Sequence, residues 1–276
     1  MYLGYNTNGL AHHDLADAIE LLASIGYRGV AITIDHGALN PLTNDCQQQV
    51  RRVRRLLEKH AMRSVVETGA RYLLDPHHKH EPTLVSATPA ERARRVTFLQ
   101  QAVDIARELG SDSVSLWSGV LHTRVGNREA FGWLVDSLQR VVAYAEGEGV
   151  VIGFEPEPGM LIDTMARYEN LRRRIDATNF RLTLDIGHLQ CLGEVPISEV
   201  IRHVAGPVVN VHIEDMRRGR HEHLMFGEGE IDFPPVIAAL RDVGYHGGLH
   251  VELSRHSHEG PEAARRAFEF LSELMP

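Results

Sequence analysis

Short runs of β-branched and aromatic residues alternate with longer amphipathic stretches along the chain. Eight runs carry the strand pattern: 2–6 (YLGYN), 29–34 (GVAITI), 63–67 (RSVVE), 113–117 (SVSLW), 150–155 (VVIGFE), 180–185 (FRLTLD), 207–213 (PVVNVHI) and 247–252 (GGLHVE). Between them, apolar positions recur at i, i+3 and i+4, as a half-buried helix requires. The stretch 14–26, DLADAIELLASIG, is one such helix, and Gly26 closes it. The stretch 88–110 opens with Thr88, then Pro89 at the first helical position and Glu91 two residues later, a capping-box signature, and ends at Gly110. Eight strands alternating with eight helices predict an α/β fold, a single (β/α)8 TIM barrel spanning 1–276 as one domain. The segment 68–87 is too long for a plain strand-to-helix turn, so it is expected to cover the barrel mouth.

Composition narrows the function. A length of 276 residues fits one barrel, and 43% hydrophobic residues supply its core. Lys plus Arg number 29 against 37 Asp plus Glu, a net charge of −8, which argues against nucleic acid as the main partner. Two cysteines in unrelated contexts, Cys46 and Cys191, make neither a disulfide framework nor a thiolate metal site. The sequence begins without a basic segment leading into an apolar one, and no apolar run approaches a span of about 20 residues. A cytoplasmic protein with no membrane partner is therefore expected. Seventeen histidines direct attention to where imidazoles fall.

In a (β/α)8 barrel, chemistry sits at the C-terminal ends of the strands. The late strands end at Glu155 (GFEPEPG), Asp185 (TLDIGH), His212 (NVHIED) and Glu252 (HVELS), spaced 30, 27 and 40 residues apart. One such carboxylate alone is more often a salt-bridge or capping residue. Four ligand-type residues on four consecutive strands point to a shared site. Three ionised carboxylates in one place repel each other, and a divalent cation offsets that cost. Three oxygens and one imidazole suit one divalent metal ion, with Mn²⁺ favoured and Mg²⁺, Co²⁺ or Zn²⁺ as alternatives.

The motifs FEPEPG, LDIGHL, NVHIEDMRRGR, FGEGEIDF and GGLHVELS resemble the xylose isomerase-like TIM barrels over essentially the whole chain. This superfamily holds sugar and sugar-phosphate isomerases and epimerases, among them the ketose 3-epimerases, and also endonuclease IV. The resemblance implies that Glu155, Asp185, His212 and Glu252 bind the metal, and that Glu155 and Glu252 also form the acid/base pair. It implies substrate contacts from His188, three residues after Asp185, and Arg218, six after His212. Gly227 and Gly229 match its glycine-rich turn. The segment around His221 resembles the endonuclease element that serves a further metal, but Gly219 stands where that element has Asp, and the fourth strand offers no histidine. His221 is accordingly read as a substrate contact, with a second metal shared with His188 as the alternative.

The implied chemistry is proton transfer on a small sugar or keto-sugar through a metal-held enediolate. A metal-dependent lyase or dehydratase acting on a keto-sugar, cyclitol or shikimate-type substrate begins with the same step and stays open. A DNA endonuclease is disfavoured by charge and by the missing ligands. Glu67, ending the third strand, and Trp117, ending the fourth, are further substrate-contact candidates, and Arg71, Lys79 and His80 lie in the long loop. Glu157, two residues after Glu155 and set between Pro156 and Pro158, is a rival for the Glu155 role. Glu214 reads as a solvated loop carboxylate and His223 as a surface residue. A homodimer or homotetramer is expected from the resemblance alone.

Overall fold

The computed structural model describes residues 1–122 and 124–275. In chain order its elements are β1 (Tyr2–Asn6), α1 (Leu15–Ile25), β2 (Gly29–Thr33), α2 (Cys46–His60), β3 (Arg63–Glu67), α3 (Pro89–Leu109), β4 (Val114–Leu116), α4 (Asn127–Gly147), β5 (Ile152–Phe154), α5 (Met165–Ile175), β6 (Phe180–Asp185), α6 (Ile186–Leu192), α7 (Ile197–Val204), β7 (Val208–Ile213), β8 (Asp215–Arg217), β9 (Arg220–Leu224), α8 (Phe233–Asp242), β10 (Gly248–Val251) and α9 (Gly260–Leu274). Eight parallel strands, β1 to β7 and β10, close into a barrel, with β1 pairing both β2 and β10. This is the (β/α)8 TIM barrel that the alternation predicts.

All eight predicted strands form, within one or two residues of their expected bounds. Two differences matter for the site. The β6–β7 connection carries two helices rather than one, so the described residues hold nine α-helices. The stretch after β7 is not a plain loop: β8 and β9 pair as an antiparallel hairpin that turns at Arg218 and Gly219, where Gly219 takes a positive φ of 73°.

Local chemistry sets the helix ends. Thr88 and Glu91 form the reciprocal capping box at the start of α3, and Gly110 closes that helix in the left-handed region. Asp14 caps α1 by accepting from the Ala16 amide. Leucines, valines and isoleucines between strands and helices make one continuous apolar layer. Thr88→Ala removes an N-cap bond and is expected to lower stability by about 1 kcal/mol. Urea unfolding of this variant beside Glu91→Ala checks it, the two losses being less than additive if the box is one unit.

Candidate active site and metal centre

Four donors meet above the barrel axis because side chains two apart on a strand share a face and each strand ends at the same level. The Glu155 amide follows β5 and donates to Leu116 O at 2.8 Å, while the Glu252 amide follows β10 and donates to Ile213 O at 3.2 Å. Both carboxylates thus hang from backbone still held in the ladder. His212 Nδ1 lies 3.0 Å from Glu155 Oε1, 2.9 Å from Glu252 Oε2 and 3.9 Å from Asp185 Oδ2. One donor atom from each of Glu155, Asp185, His212 and Glu252 falls within 4.8 Å of the others. These four sequence-predicted residues are therefore brought together.

The donor set fits a cation on its own chemistry. Asp185 Oδ1 is used, accepting from the His188 amide at 2.7 Å as the cap of α6, but Oδ2 is buried with no hydrogen-bond partner. An orphaned carboxylate oxygen aimed at two further carboxylates is costly unless a positive charge faces it. His212 Nε2 points away from the cluster and donates to Glu67 Oε1 at 2.9 Å. That bond leaves the Nδ1 lone pair for a metal, as in a carboxylate–histidine–metal arrangement.

Electrostatics divides the acids. Burial pushes Glu155 up to about 8, against the pull of His212. Burial would raise Glu252 too, but the facing His212 imidazole, with His223 and His188, holds it well below the usual carboxylate range. Asp185 is held below its ordinary value despite burial, by His188 and His212. His212 itself is raised far above the ordinary imidazole value, because Glu155, Glu67 and Glu252 outweigh its desolvation.

Glu155, His212 and Glu252 open onto a cavity of about 670 Å³, with Asp185 buried behind them, and its rim includes Arg71, Lys79 and His80 from the long loop. The segment 68–87 thus covers the mouth as its length predicts. Trp117 reaches the cavity but is largely packed, with the Arg95 guanidinium 4.5 Å from its ring centroid and His80 edge-on at 5.4 Å. Glu67 lines the floor, where its carboxylate holds His212 rather than standing free. His221 lines the wall. His188 is buried beside the cavity rather than among its lining residues: its Nδ1 donates to Pro156 O at 3.1 Å, so its Nε2 accepts from His221 Nε2 at 3.0 Å.

Arg218 departs from its expected place. It sits at the exposed hairpin turn, its amide bonds Glu230, and its guanidinium lies over Gly193, outside the cavity. The spacing of six residues from His212 does not foresee the hairpin that carries it away. Glu157 enters the same cavity as Glu155, as residues two apart along an extended chain do, and lies 3.6 Å from His221 Nε2. Glu214 is fully buried, with neither oxygen hydrogen-bonded, and burial pushes it well above the carboxylate range. His223 is half-buried and joins His188 and His221 as a second group of metal-capable donors. Asn8 and Arg255 are cavity residues that the reading of late strands passed over. Asn8 Nδ2 donates to Glu252 Oε1 at 2.8 Å, and Arg255 pairs with Glu222 at the rim at 3.0 Å. The strand-end rule applied to β1 as well would have led close to Asn8.

The model of the xylose isomerase-like TIM barrel family matches residues 19–274. The chain belongs to that family. It is 25% identical over 251 residues to L-ribulose-5-phosphate 3-epimerase UlaE of Shigella flexneri serotype 5b, covering 90% of this chain and 84% of that protein. Its fold is similar to that of D-allulose 3-epimerase from Methylomonas sp., with a TM-score of 0.80 and 20% identity over 99% of this chain and 98% of the other. It is similar also to 3-keto-D-glucoside 4-epimerase from E. coli, with a TM-score of 0.80 and 15% identity over 99% of each chain. No helix of the described residues is long and apolar enough to cross a membrane.

Glu67→Ala frees the His212 ring and is expected to weaken Mn²⁺ binding by about 10- to 100-fold, read by isothermal titration. Arg218→Ala, remote from the donors, is expected to leave that affinity within twofold of the parent.

Proposed function

We propose that the chain is a divalent-metal-dependent isomerase or epimerase of a small sugar or keto-sugar, working by proton transfer beside a carbonyl. The observation that carries this reading is the convergence of Glu155, Asp185, His212 Nδ1 and Glu252, with an unpartnered Asp185 oxygen, where Glu155, His212 and Glu252 line one polar cavity. The named activities of the relatives, two of them 3-epimerases, support it. Glu155, Asp185, His212 and Glu252 would hold the ion, Mn²⁺ being favoured, and when bound it would polarise the substrate carbonyl and adjacent hydroxyl.

The chain's own groups then divide the work. Glu155 and Glu252 stand on the strands flanking β6 and β7, so a sugar lying over His212 meets one carboxylate from each side. One carboxylate removes the proton next to the carbonyl and the other returns it, which inverts the carbon; return by the same carboxylate to the neighbouring carbon gives isomerisation. Their environments already push the two acids apart, the arrangement that acid/base pairs use. Glu157, with its proton favoured by burial and by Glu155 and Glu252, is suited to donate a hydrogen bond to a substrate oxygen. His221 presents its ring to the same space, and Trp117 and Glu67 bound its floor. The protein is expected to work as a homodimer or homotetramer in the cytoplasm.

Incubation of 2-keto sugars and their phosphates in D₂O tests the reading. Deuterium is expected at the carbon beside the carbonyl, with about 10²- to 10⁴-fold slower exchange in Glu155→Gln and Glu252→Gln at unchanged circular dichroism. Full exchange in either variant would remove the acid/base assignment. Elimination of water without epimer formation would move the reaction to the dehydratase class. Metal analysis is expected to return one equivalent per chain; two equivalents would give the His188, His221 and His223 group an ion of its own.

A further inference from the structure

Below the four donors, the barrel interior holds polar side chains where branched apolar residues normally fill the layers. Asn210 on β7 and His250 on β10 are both fully buried. Each lies two residues before a donor on its own strand, Asn210 before His212 and His250 before Glu252, so each points inward beneath that donor. The His250 ring fits because Gly4 and Gly248 lack side chains; a Cβ at either would overlap the ring.

The contacts run in one direction. His250 Nδ1 donates to Asn210 Oδ1 at 2.7 Å. Asn210 Nδ2 donates to Glu67 Oε1 at 3.2 Å and His212 Nε2 donates to the same oxygen at 2.9 Å, the two nitrogens lying 3.1 Å apart as neighbouring donors to one carboxylate. His250 Nε2 has no hydrogen-bond partner and lies over the space left by Gly4 and Gly29, so its proton belongs on Nδ1. The Asn210 amide is then fixed: turned over, it would set its oxygen against the Glu67 carboxylate and its NH₂ against the His250 donor.

We infer that His250 and Asn210 are positioning residues, a buried hydrogen-bonded line that fixes Glu67 and through it holds the His212 ring with Nε2 down and Nδ1 among Glu155, Asp185 and Glu252. A half-turn of that ring would put Cδ2 where Nδ1 stands and strip the cluster of its imidazole donor. The consequence for metal binding rests on the function proposed above; the ring orientation does not.

Four variants test it, each with two readouts. His250→Leu and Asn210→Leu break the line, His250→Asn keeps a donor near the Nδ1 position, and Gly4→Ala crowds the ring. Mn²⁺ affinity by isothermal titration is expected to fall about 10- to 100-fold in both leucine variants and in Gly4→Ala, and to recover in His250→Asn. Crystal structures of the metal-free proteins are expected to show His212 turned away from Glu67 in the leucine variants and held in place in the wild type and His250→Asn. An unmoved ring together with affinities within twofold of wild type would overturn the inference. A wild-type protein that takes no Mn²⁺ would remove the metal reading alone, and the metal-free structures would then decide for or against the line. Should Asn210→Leu fail to fold, the His250 pair carries the comparison.

Discussion

Four carboxylates, those of Glu67, Glu155, Asp185 and Glu252, are gathered around the imidazole of His212 beneath the barrel mouth, all of them buried or nearly so, and the rest of the structure answers to that concentration of charge. Taking each ion out of water costs several kcal/mol, and mutual repulsion adds to it. The strands cannot splay to relieve the strain, because each is hydrogen-bonded on both sides in a closed ladder. The fold compensates locally instead. The His188 amide takes one Asp185 oxygen, Asn8 takes one from Glu252, and Asn210 shares Glu67 with His212. What remains uncompensated, above all Asp185 Oδ2, faces the spot where a cation would complete the balance.

The same pressure explains the acids just outside the four. Glu157 and Glu214 are driven toward their neutral forms by burial and by the charges already present. A neutral carboxylic acid is a hydrogen-bond donor, which a carboxylate is not. The site therefore supplies donors where the composition suggests only acceptors.

Much of this was legible in the sequence, for a physical reason. Strand bounds follow from β-branched runs that helices cannot use well, and α3 announces itself through Thr88, Pro89, Glu91 and Gly110. Glu155, Asp185, His212 and Glu252 are readable because a parallel barrel aligns its strand ends. What failed depends on a chain reversal that no periodicity encodes: Arg218 is carried outward by the turn at Gly219. Glu214 looks solvated beside Asp215 and the arginines that follow, yet it is packed against Gly187, whose missing side chain makes the room. Asn210 and His250 read as ordinary strand residues; only the distances reveal that they address Glu67.

Asp215 has a consequence for the hairpin. Its carboxylate accepts four backbone amides, from Met216, Gly227, Gly229 and Ile231, and so ties the base of β8 to the glycine-rich turn before α8. His221 and His223 ride on an arm staked at both ends, while the opposite wall of the cavity is the long loop that bears Arg71, Lys79 and His80. The loop bank is fastened in another way, by many small ties: His80 Nδ1 to Gly69 O, Arg71 to Asn8 O, Arg95 to Thr68 O, and Leu73, Leu74, Leu84 and Val85 packed into the core. One bank thus hangs on a single carboxylate that fastens hairpin and glycine turn together, while the other spreads its hold over many residues, no one of which governs it.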